Sequence, residues 1–364
     1  MTAENLRRAA LFLGPLIFAV CCLLPFGLER AAQATLGITL WIAIWWIVEP
    51  VPMAVTSLLP LVLFPFSGIM PLKATAAEYS NEIVYLFLAG FILGKSIEKW
   101  GLHRRIALKL VARIGSNPPS IVLGFMVATA FISMWISNTA TAIMMLPVAL
   151  AVTGHGDENN AQQSSNFSKN LMLGIGYAAS IGGMATVIGT PTNAIFVSYV
   201  RQNFPDSTVS FGKWLAFGLP FAAVLLLFCW KMLLMVFPLK KGKNRHDSAI
   251  IQHELANLGK ISVPEKRVLV LFSFVIFGWV SGSFVWYDWF PKTLGVGDTL
   301  VALTGAILLF LIPADRFSGE KLMDWKTAER IPWGILLLFG GGLAIAKGFE
   351  TSGLARWMGD RMLT

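Results

Sequence analysis

Between Ser120 and Val152 the chain runs for 33 residues without a Lys, Arg, Asp or Glu. One straight helix of that length would be ~50 Å long, against a bilayer hydrocarbon core of ~30 Å. Two full spans and a turn would need more residues than are present. The middle of the tract is polar: Ser133, Ser137, Asn138, Thr139 and Thr141. A re-entrant hairpin satisfies these constraints, with Ser137-Asn138-Thr139 at a tip inside the membrane. Irregular backbone at that depth is tolerated only where protein or a water-filled cavity surrounds it. Ser133 and Ser137 are four apart and share a helical face. A lone hydroxyl there would usually bond back to a helix carbonyl. Five polar groups around one break point instead to ligand binding.

The rest of the chain sets the same solvent. Of 364 residues, 55% are hydrophobic and only 13% charged, about half the charged share of a soluble domain. This excludes a cytosolic globular domain, a disordered chain and a disulfide-stapled module. The net charge of +9 does not indicate a nucleic-acid partner, because excess Lys and Arg in a membrane protein mark cytoplasmic loops. Apolar spans are predicted at 9–28, within 36–66, and at 83–97, 211–238, 268–287, 296–313 and 331–349, besides 120–152 and 171–200. The tract 36–66 is interrupted by Glu49-Pro50-Val51-Pro52 and holds two spans or a bent one. Arg7 and Arg8 precede the first run, which is longer than a signal-peptide core and reads as an uncleaved helix starting in the cytoplasm. Basic residues from Lys99 to Arg113 alternate with Ile106, Leu108, Leu110 and Val111, as in a helix lying along the interface. A polar loop is expected from His155 to Lys169. The loop 239–267 holds Lys240, Lys241, Lys243, Arg245, Lys260, Lys266 and Arg267 and reads as cytoplasmic. Cys21, Cys22 and Cys229 lie in apolar runs without metal-type spacing and read as packing residues.

The tract 171–200 repeats the design of 120–152. Its centre runs Gly182-Gly183-Met184-Ala185-Thr186-Val187-Ile188-Gly189-Thr190-Pro191-Thr192-Asn193. Glycines, a proline and uncharged donors at that depth predict a broken helix, with free carbonyls for a cation and free N–H groups for an anion. A glycine packing seam between helices is the plainer reading. An internal repeat favours a carrier. Phe87, Gly90, Lys95, Glu98, Gly101, Leu102 and Arg104 recur as Phe339, Gly342, Lys347, Glu350, Gly353, Leu354 and Arg356, every pair offset by 252. Secondary carriers are commonly built from such repeats, with the site between the halves.

The run Ser133 to Ala142, followed by Met145-Leu146-Pro147, resembles the first Ser-Asn-Thr motif of the divalent anion:sodium symporters, the family of dicarboxylate and citrate carriers and of the bacterial INDY-type members. Ile181 to Asn193 resembles that family's broken fifth helix, and Trp333 to Gly342 the start of its second repeat. The resemblance implies an all-α, polytopic membrane protein with inverted repeats, here with an incomplete second repeat. It implies a homodimer in the bacterial inner membrane, and sodium-coupled import of dicarboxylates by an elevator-like movement of a transport domain against a scaffold. By motif position, Ser133, Ser137, Asn138 and Gly189 match a sodium site, and Asn138, Thr139 and Thr190 match substrate contacts. No further cofactor is implied. On this scheme 1–113 is the scaffold and arm of the first repeat, and 114–238 a transport half. Residues 239–267 form a cytoplasmic loop, and 268–364 the scaffold and arm of the second repeat. A second Ser-Asn-Thr would fall near position 389, past Thr364. With one tip, residues 1–364 are expected to insert without transporting.

Charge supports the sodium reading independently. Neither 114–154 nor 170–200 contains a charged side chain, so a dianion there must be balanced by helix termini, at about half a charge each, and by bound cations. A sodium-independent exchanger would be expected to place Lys or Arg beside the anion. Carriers of citrate, sulfate or arsenite compete with the dicarboxylate reading. An enzyme is not expected. No span carries a His/Asp/Glu cluster or a nucleophile motif, and Glu49, the main intramembrane acid candidate, reads as a helix cap.

Overall fold

The computed structural model describes residues 3–24, 27–115, 117–153, 161–204, 209–239, 252–291, 294–315 and 319–362. Within them the chain is helical, with no named strand and one isolated bridge between Pro313 and Lys321. Among the described residues, six helical segments are long and apolar enough to cross a membrane: 4–23, 30–48, 72–99, 211–236, 263–289 and 333–351. The chain divides into two compact units, 1–85 with 332–364, and 86–331.

In the first unit, α1 (Ala3–Leu23) packs along α2 (Arg30–Val48), and the Trp45 indole donates to the Ala10 carbonyl at 2.9 Å. Helix α2 ends at Glu49, which adopts left-handed backbone (φ 49°, ψ 52°) and donates its N–H to the Trp45 carbonyl. Pro50 and Pro52 then prevent continuation, so Glu49 caps a helix, as the sequence suggests. The tract 36–66 is therefore one span followed by the short helices α3 (Met53–Thr56) and α4 (Leu59–Phe66). Helix α5 (Leu72–Tyr79) follows, and α16 (Trp333–Thr351) packs against it. Ile38, Ile42, Phe64 and Ala344 form the fully buried centre of this unit.

The second unit begins within α6 (Glu82–Lys99). Its further elements are α7 (Leu102–Ile114), α8 (Pro118–Ser133), α9 (Asn138–Thr153), α10 (Ala161–Met184), α11 (Pro191–Asn203) and α12 (Phe211–Val236). The chain continues through α13 (Val263–Ser281), a π-helical turn (Gly282–Trp286), α14 (Asp298–Leu311) and the short α15 (Trp325–Ala328). Helix α10 starts at Ala161, so only the first part of the stretch His155–Lys169 can be a loop. His155 itself, and Lys240, Lys241, Lys243 and Arg245, lie outside the described residues.

The internal repeat has a structural counterpart. Lys95 pairs with Glu98 at 2.7 Å and Lys347 with Glu350 at 2.8 Å, each across one helical turn. Gly101 (φ 67°) and Gly353 (φ 75°) then turn the backbone left-handed, which only glycine does cheaply. A second helix follows each: α7 after the first, and α17 (Leu354–Met362) after the second.

The basic arm α7 is less simply amphipathic than its sequence suggests. Arg105 points inward, where its guanidinium meets Glu265 at 2.7 Å with both side chains under a tenth exposed. It also donates to the carbonyls of Gly259 at 2.8 Å and Leu258 at 2.9 Å. Glu265 is itself the third residue of a capping box with Ser262 at the start of α13. Arg105→Ala would leave a carboxylate buried and uncompensated, at about 3–5 kcal/mol. Arg105→Lys cannot reproduce the forked geometry. Chemical denaturation of the purified protein should therefore show large losses for both, with Lys only partly restoring stability.

Beside α7, Lys99 bonds Asp324 at 2.7 Å, and the Trp100 indole donates to the Leu322 carbonyl at 2.8 Å. The Lys99 contact, with help from the Thr327 amide and hydroxyl, holds the Asp324 carboxyl at about 2, below its ordinary 3.8. A depressed acid stabilises the fold above its unfolded value and loses that contribution as pH falls through the folded one. The contact should therefore weaken only from about pH 4 down to about 2. Trp100 emission followed through an acid titration should shift in that window, and Asp324→Asn should abolish the shift.

Candidate functional site

The tract 120–152 is two 16-residue helices, α8 and α9, separated by residues 134–137. Helix α8 starts cleanly because the Asn117 side chain accepts the Ser120 N–H at 2.9 Å and prolines fill its first two positions. The tract 171–200 breaks in the same way, α10 ending at Met184 and α11 starting at Pro191.

The two breaks meet. Ser133, fully buried, donates to the Ala179 carbonyl at 2.7 Å. One end of the Asn138 amide faces only acceptors, which places Nδ2 there. That nitrogen donates to Ser133 Oγ at 2.8 Å, the Ala179 carbonyl at 3.1 Å and the Gly189 carbonyl at 3.3 Å. The packing is close enough to require glycine at two positions of the second break. A Cβ on Gly183 would stand 2.5 Å from the Asn138 amide, and one on Gly189 would stand 2.5 Å from the Gly183 carbonyl.

The expected site residues divide on this geometry. Ser133, Asn138 and Gly189 form one hydrogen-bonded cluster. Ser137 is half-buried and caps α9, accepting the Ala140 N–H at 3.4 Å. Thr139 is exposed in the first turn of α9. Thr190 precedes α11 with its hydroxyl 3.4 Å from that of Thr192. Thr141 is fully buried, and its hydroxyl has no hydrogen-bond partner among the described residues.

One expectation is corrected in detail. A broken helix is expected to offer free carbonyls at its end. Three of them are already occupied: Asn193 Nδ2 donates to the carbonyls of Gly183 (3.1 Å), Met184 (3.4 Å) and Thr186 (2.8 Å). The Trp214 indole also donates to Met184, at 3.1 Å. The fully buried Thr186 bridges the breaks through a 2.6 Å bond to the Met134 carbonyl. Thr186 and Asn193 lie in the glycine-rich run, but nothing in their spacing separates them from its other polar residues.

The electrostatics follow from backbone direction. Helices α8 and α10 bring their carbonyl ends to the breaks, and α9 and α11 start from them with their N–H ends. Each terminus carries about half a charge. The breaks thus offer negative dipole ends to a cation and positive ends to an anion, with no ionised side chain in either tract.

Beyond α11 lies a buried carboxylate that sequence reasoning missed. Asp298, at the start of α14, accepts from Arg201 (3.2 Å), the Phe211 N–H (2.8 Å) and the Tyr287 hydroxyl (3.0 Å). An aromatic column joins it to the first break. Trp135 packs against Phe272 at 5.0 Å and Phe211 at 6.0 Å, and Phe211 stacks on Trp279 at 4.3 Å. The Trp279 indole donates to the Asp298 carbonyl at 2.8 Å.

Helices long and apolar enough to cross a membrane, together with two helix breaks bonded to each other, mark a polytopic membrane transporter. Comparison with known proteins gives the family. The sodium:sulfate symporter transmembrane region matches residues 4–364, and the chain belongs to that family. The sodium-dependent dicarboxylate transporter SdcS of Staphylococcus saprophyticus is 41% identical over 368 residues, covering 98% of this chain and 70% of that protein. Its namesake in Staphylococcus aureus strain NCTC 8325 is 42% identical over 367 residues, covering 97% and 69%.

The glycine contacts make a test. Gly183→Ala should destabilise the fold by about 1–3 kcal/mol through overpacking. Gly342→Ala, where a Cβ meets nothing within 4 Å, should be neutral or slightly stabilising. Thermal unfolding of the two variants in the same detergent should separate them in that order.

Proposed function

We propose that the protein imports dicarboxylates of the succinate, malate and fumarate class, coupled to sodium. The observation that carries this reading is the cluster of neutral oxygens around the Asn138 amide, where two helix breaks meet without an ionised side chain. Sodium is a hard cation and takes oxygen ligands. If the amide turns over, Asn138 Oδ1 joins Ser133 Oγ and the Gly189 carbonyl in one neutral-oxygen cage, with Ser137 Oγ one residue away in sequence. Turning over also points Nδ2 away from the cage, where it can donate to a substrate carboxylate. Thr139 and Thr190, at the starts of α9 and α11, would add hydroxyl donors for the anion, and the two helix N-termini favour its charge.

Coupling then follows from electrostatics. A dianion in a low-dielectric site is costly, and two half-charges from helix ends do not neutralise it. A bound cation beside it supplies the remainder, so each ligand raises the affinity for the other. The names of the relatives, which specify sodium and dicarboxylate, support the same pair. The rest of the proposal is a homodimer in the bacterial inner membrane with a cytoplasmic N-terminus. Elevator-like movement would carry the 114–238 half against the scaffold segments 1–113 and 268–364. The basic segment 239–267, whose last residues start α13 at Val263 rather than forming a loop, would lie on the cytoplasmic side.

Asn138→Ala removes the one amide that serves both ion and anion. Uptake of labelled succinate should be measured in vesicles holding the protein expressed from its whole reading frame, across a range of sodium concentrations. The variant should lose sodium-dependent uptake at least tenfold, the equivalent of about 1.4 kcal/mol. Thr139→Ala should weaken succinate while sparing sodium. Unchanged sodium dependence in Asn138→Ala would remove the assignment. Labelled sulfate, offered in parallel, should compete poorly with succinate.

A further inference from the structure

We infer that Thr186 and Asn193 are positioning residues that set the affinity for sodium without touching it, an inference that rests on the sodium site proposed above. The argument starts from what a helix break costs. Ending α10 at Met184 frees its last carbonyls inside an apolar tract, and each buried carbonyl left unbonded is destabilising. Asn193 is nine-tenths buried and reaches back from the first turn of α11 to bond two of them, those of Gly183 and Met184, and the Thr186 carbonyl just past the helix end. It fixes the arc 183–193 as a closed loop around its own amide. The Gly189 carbonyl lies in that arc, unbonded by Asn193, and is the one that faces Asn138.

Asn193 also removes a competitor. Several free carbonyls at one negative helix end would attract a cation on their own. With those of Gly183, Met184 and Thr186 bonded to the Asn193 amide, that end is screened, and the Gly189 carbonyl is left facing Asn138. Thr186 then sets the distance between the two breaks. Its hydroxyl, with no exposure, donates to the Met134 carbonyl at 2.6 Å. Met134 directly follows Ser133, and Thr186 is three residues before Gly189. One hydrogen bond thereby ties the end of α8, which bears the serine oxygen, to the loop bearing the glycine carbonyl. A cation cage made from two segments is only as well formed as the tie between them.

The test separates affinity from stability. Purified full chain in detergent is melted across sodium chloride concentrations, with choline chloride holding ionic strength constant, and the half-saturating sodium is read from the rise in melting temperature. Thr186→Val keeps the shape and loses the donor. It should raise the half-saturating sodium about tenfold, the scale of one buried hydrogen bond, with Thr186→Ser returning it to within about twofold of wild type. Asn193→Leu should raise it at least as much, and should also reduce the preference for sodium over potassium. A purely structural role would lower the melting temperature without sodium and leave the half-saturation unchanged, which would overturn the inference. If Thr186→Val does not fold, Thr186→Ser and Thr186→Cys form a graded pair, and an unchanged half-saturation in Thr186→Cys would overturn it equally. Asn138→Ala is run in parallel. Loss of sodium stabilisation there with none in Thr186→Val refutes positioning and keeps the site. Retained stabilisation in Asn138→Ala refutes the site itself.

Discussion

The structure depends on how backbone is satisfied where two apolar helices stop in mid-tract. In hydrocarbon a helix cannot end cheaply, because its last carbonyls and first N–H groups lose both water and partners. Here each break answers the other. Met134 lends a carbonyl to Thr186, Ala179 lends one to Ser133 and to Asn138, and Asn193 closes the end of α10 on itself. Ser133, Asn138, Thr186 and Asn193 are needed for this before any ligand arrives. The binding proposed above draws on the same groups with one amide turned over.

That requirement explains why the ionised side chains that are buried lie outside the two tracts. Arg105 with Glu265, and Arg201 with Asp298, are inside the second unit; Glu265 and Asp298 stand at helix starts, and Arg201 in the last turn of α11. A buried pair of this kind is weak evidence for stability, yet breaking it is expensive. Both pairs therefore act as fixed joints between segments distant in sequence. Had either lain at the breaks, its field would have outweighed the helix termini. A site meant to respond to a single monovalent cation would then have been saturated by its own side chains.

Much of this was legible in the sequence for one physical reason: apolar tracts and their interruptions are one-dimensional signals. The breaks at 134–137 and 185–190 follow from uncharged tracts of awkward length with polar centres. The repeat is visible as seven identities at one offset, and its Lys–Glu pair and left-handed glycine recur in both copies. What could not be read was which partner each polar group chooses. Arg105 looks like one more charge on an amphipathic arm, although its partner is 160 residues away. Asp298 follows a glycine-rich loop and gives no sign that Arg201, Phe211 and Tyr287 converge on it. Asn193 and Thr186 carry the same hydroxyl and amide chemistry as their neighbours, and only the fold distinguishes a ligand from the residue that holds it.

In the site proposed above, the Asn138 amide has a definite physical place in the coupling. A carboxylate could bind sodium more strongly, but it would repel the dianion and remain charged when both ligands had left. A serine hydroxyl could serve either ligand, but it has no two ends of opposite polarity held rigidly apart. A carboxamide has one acceptor end and one donor end, it is neutral, and rotation by half a turn exchanges them. In the orientation that donates to Ser133, Ala179 and Gly189, it closes the would-be cation cage and turns its oxygen toward the side from which an anion would approach. The opposite orientation reverses both signs at once. An ion that stabilises the second orientation also creates the donor an anion needs, and an anion accepting that donor holds the oxygen on the ion. On the proposed site, reciprocal affinity would therefore be built into a single side chain whose two ends cannot be set independently.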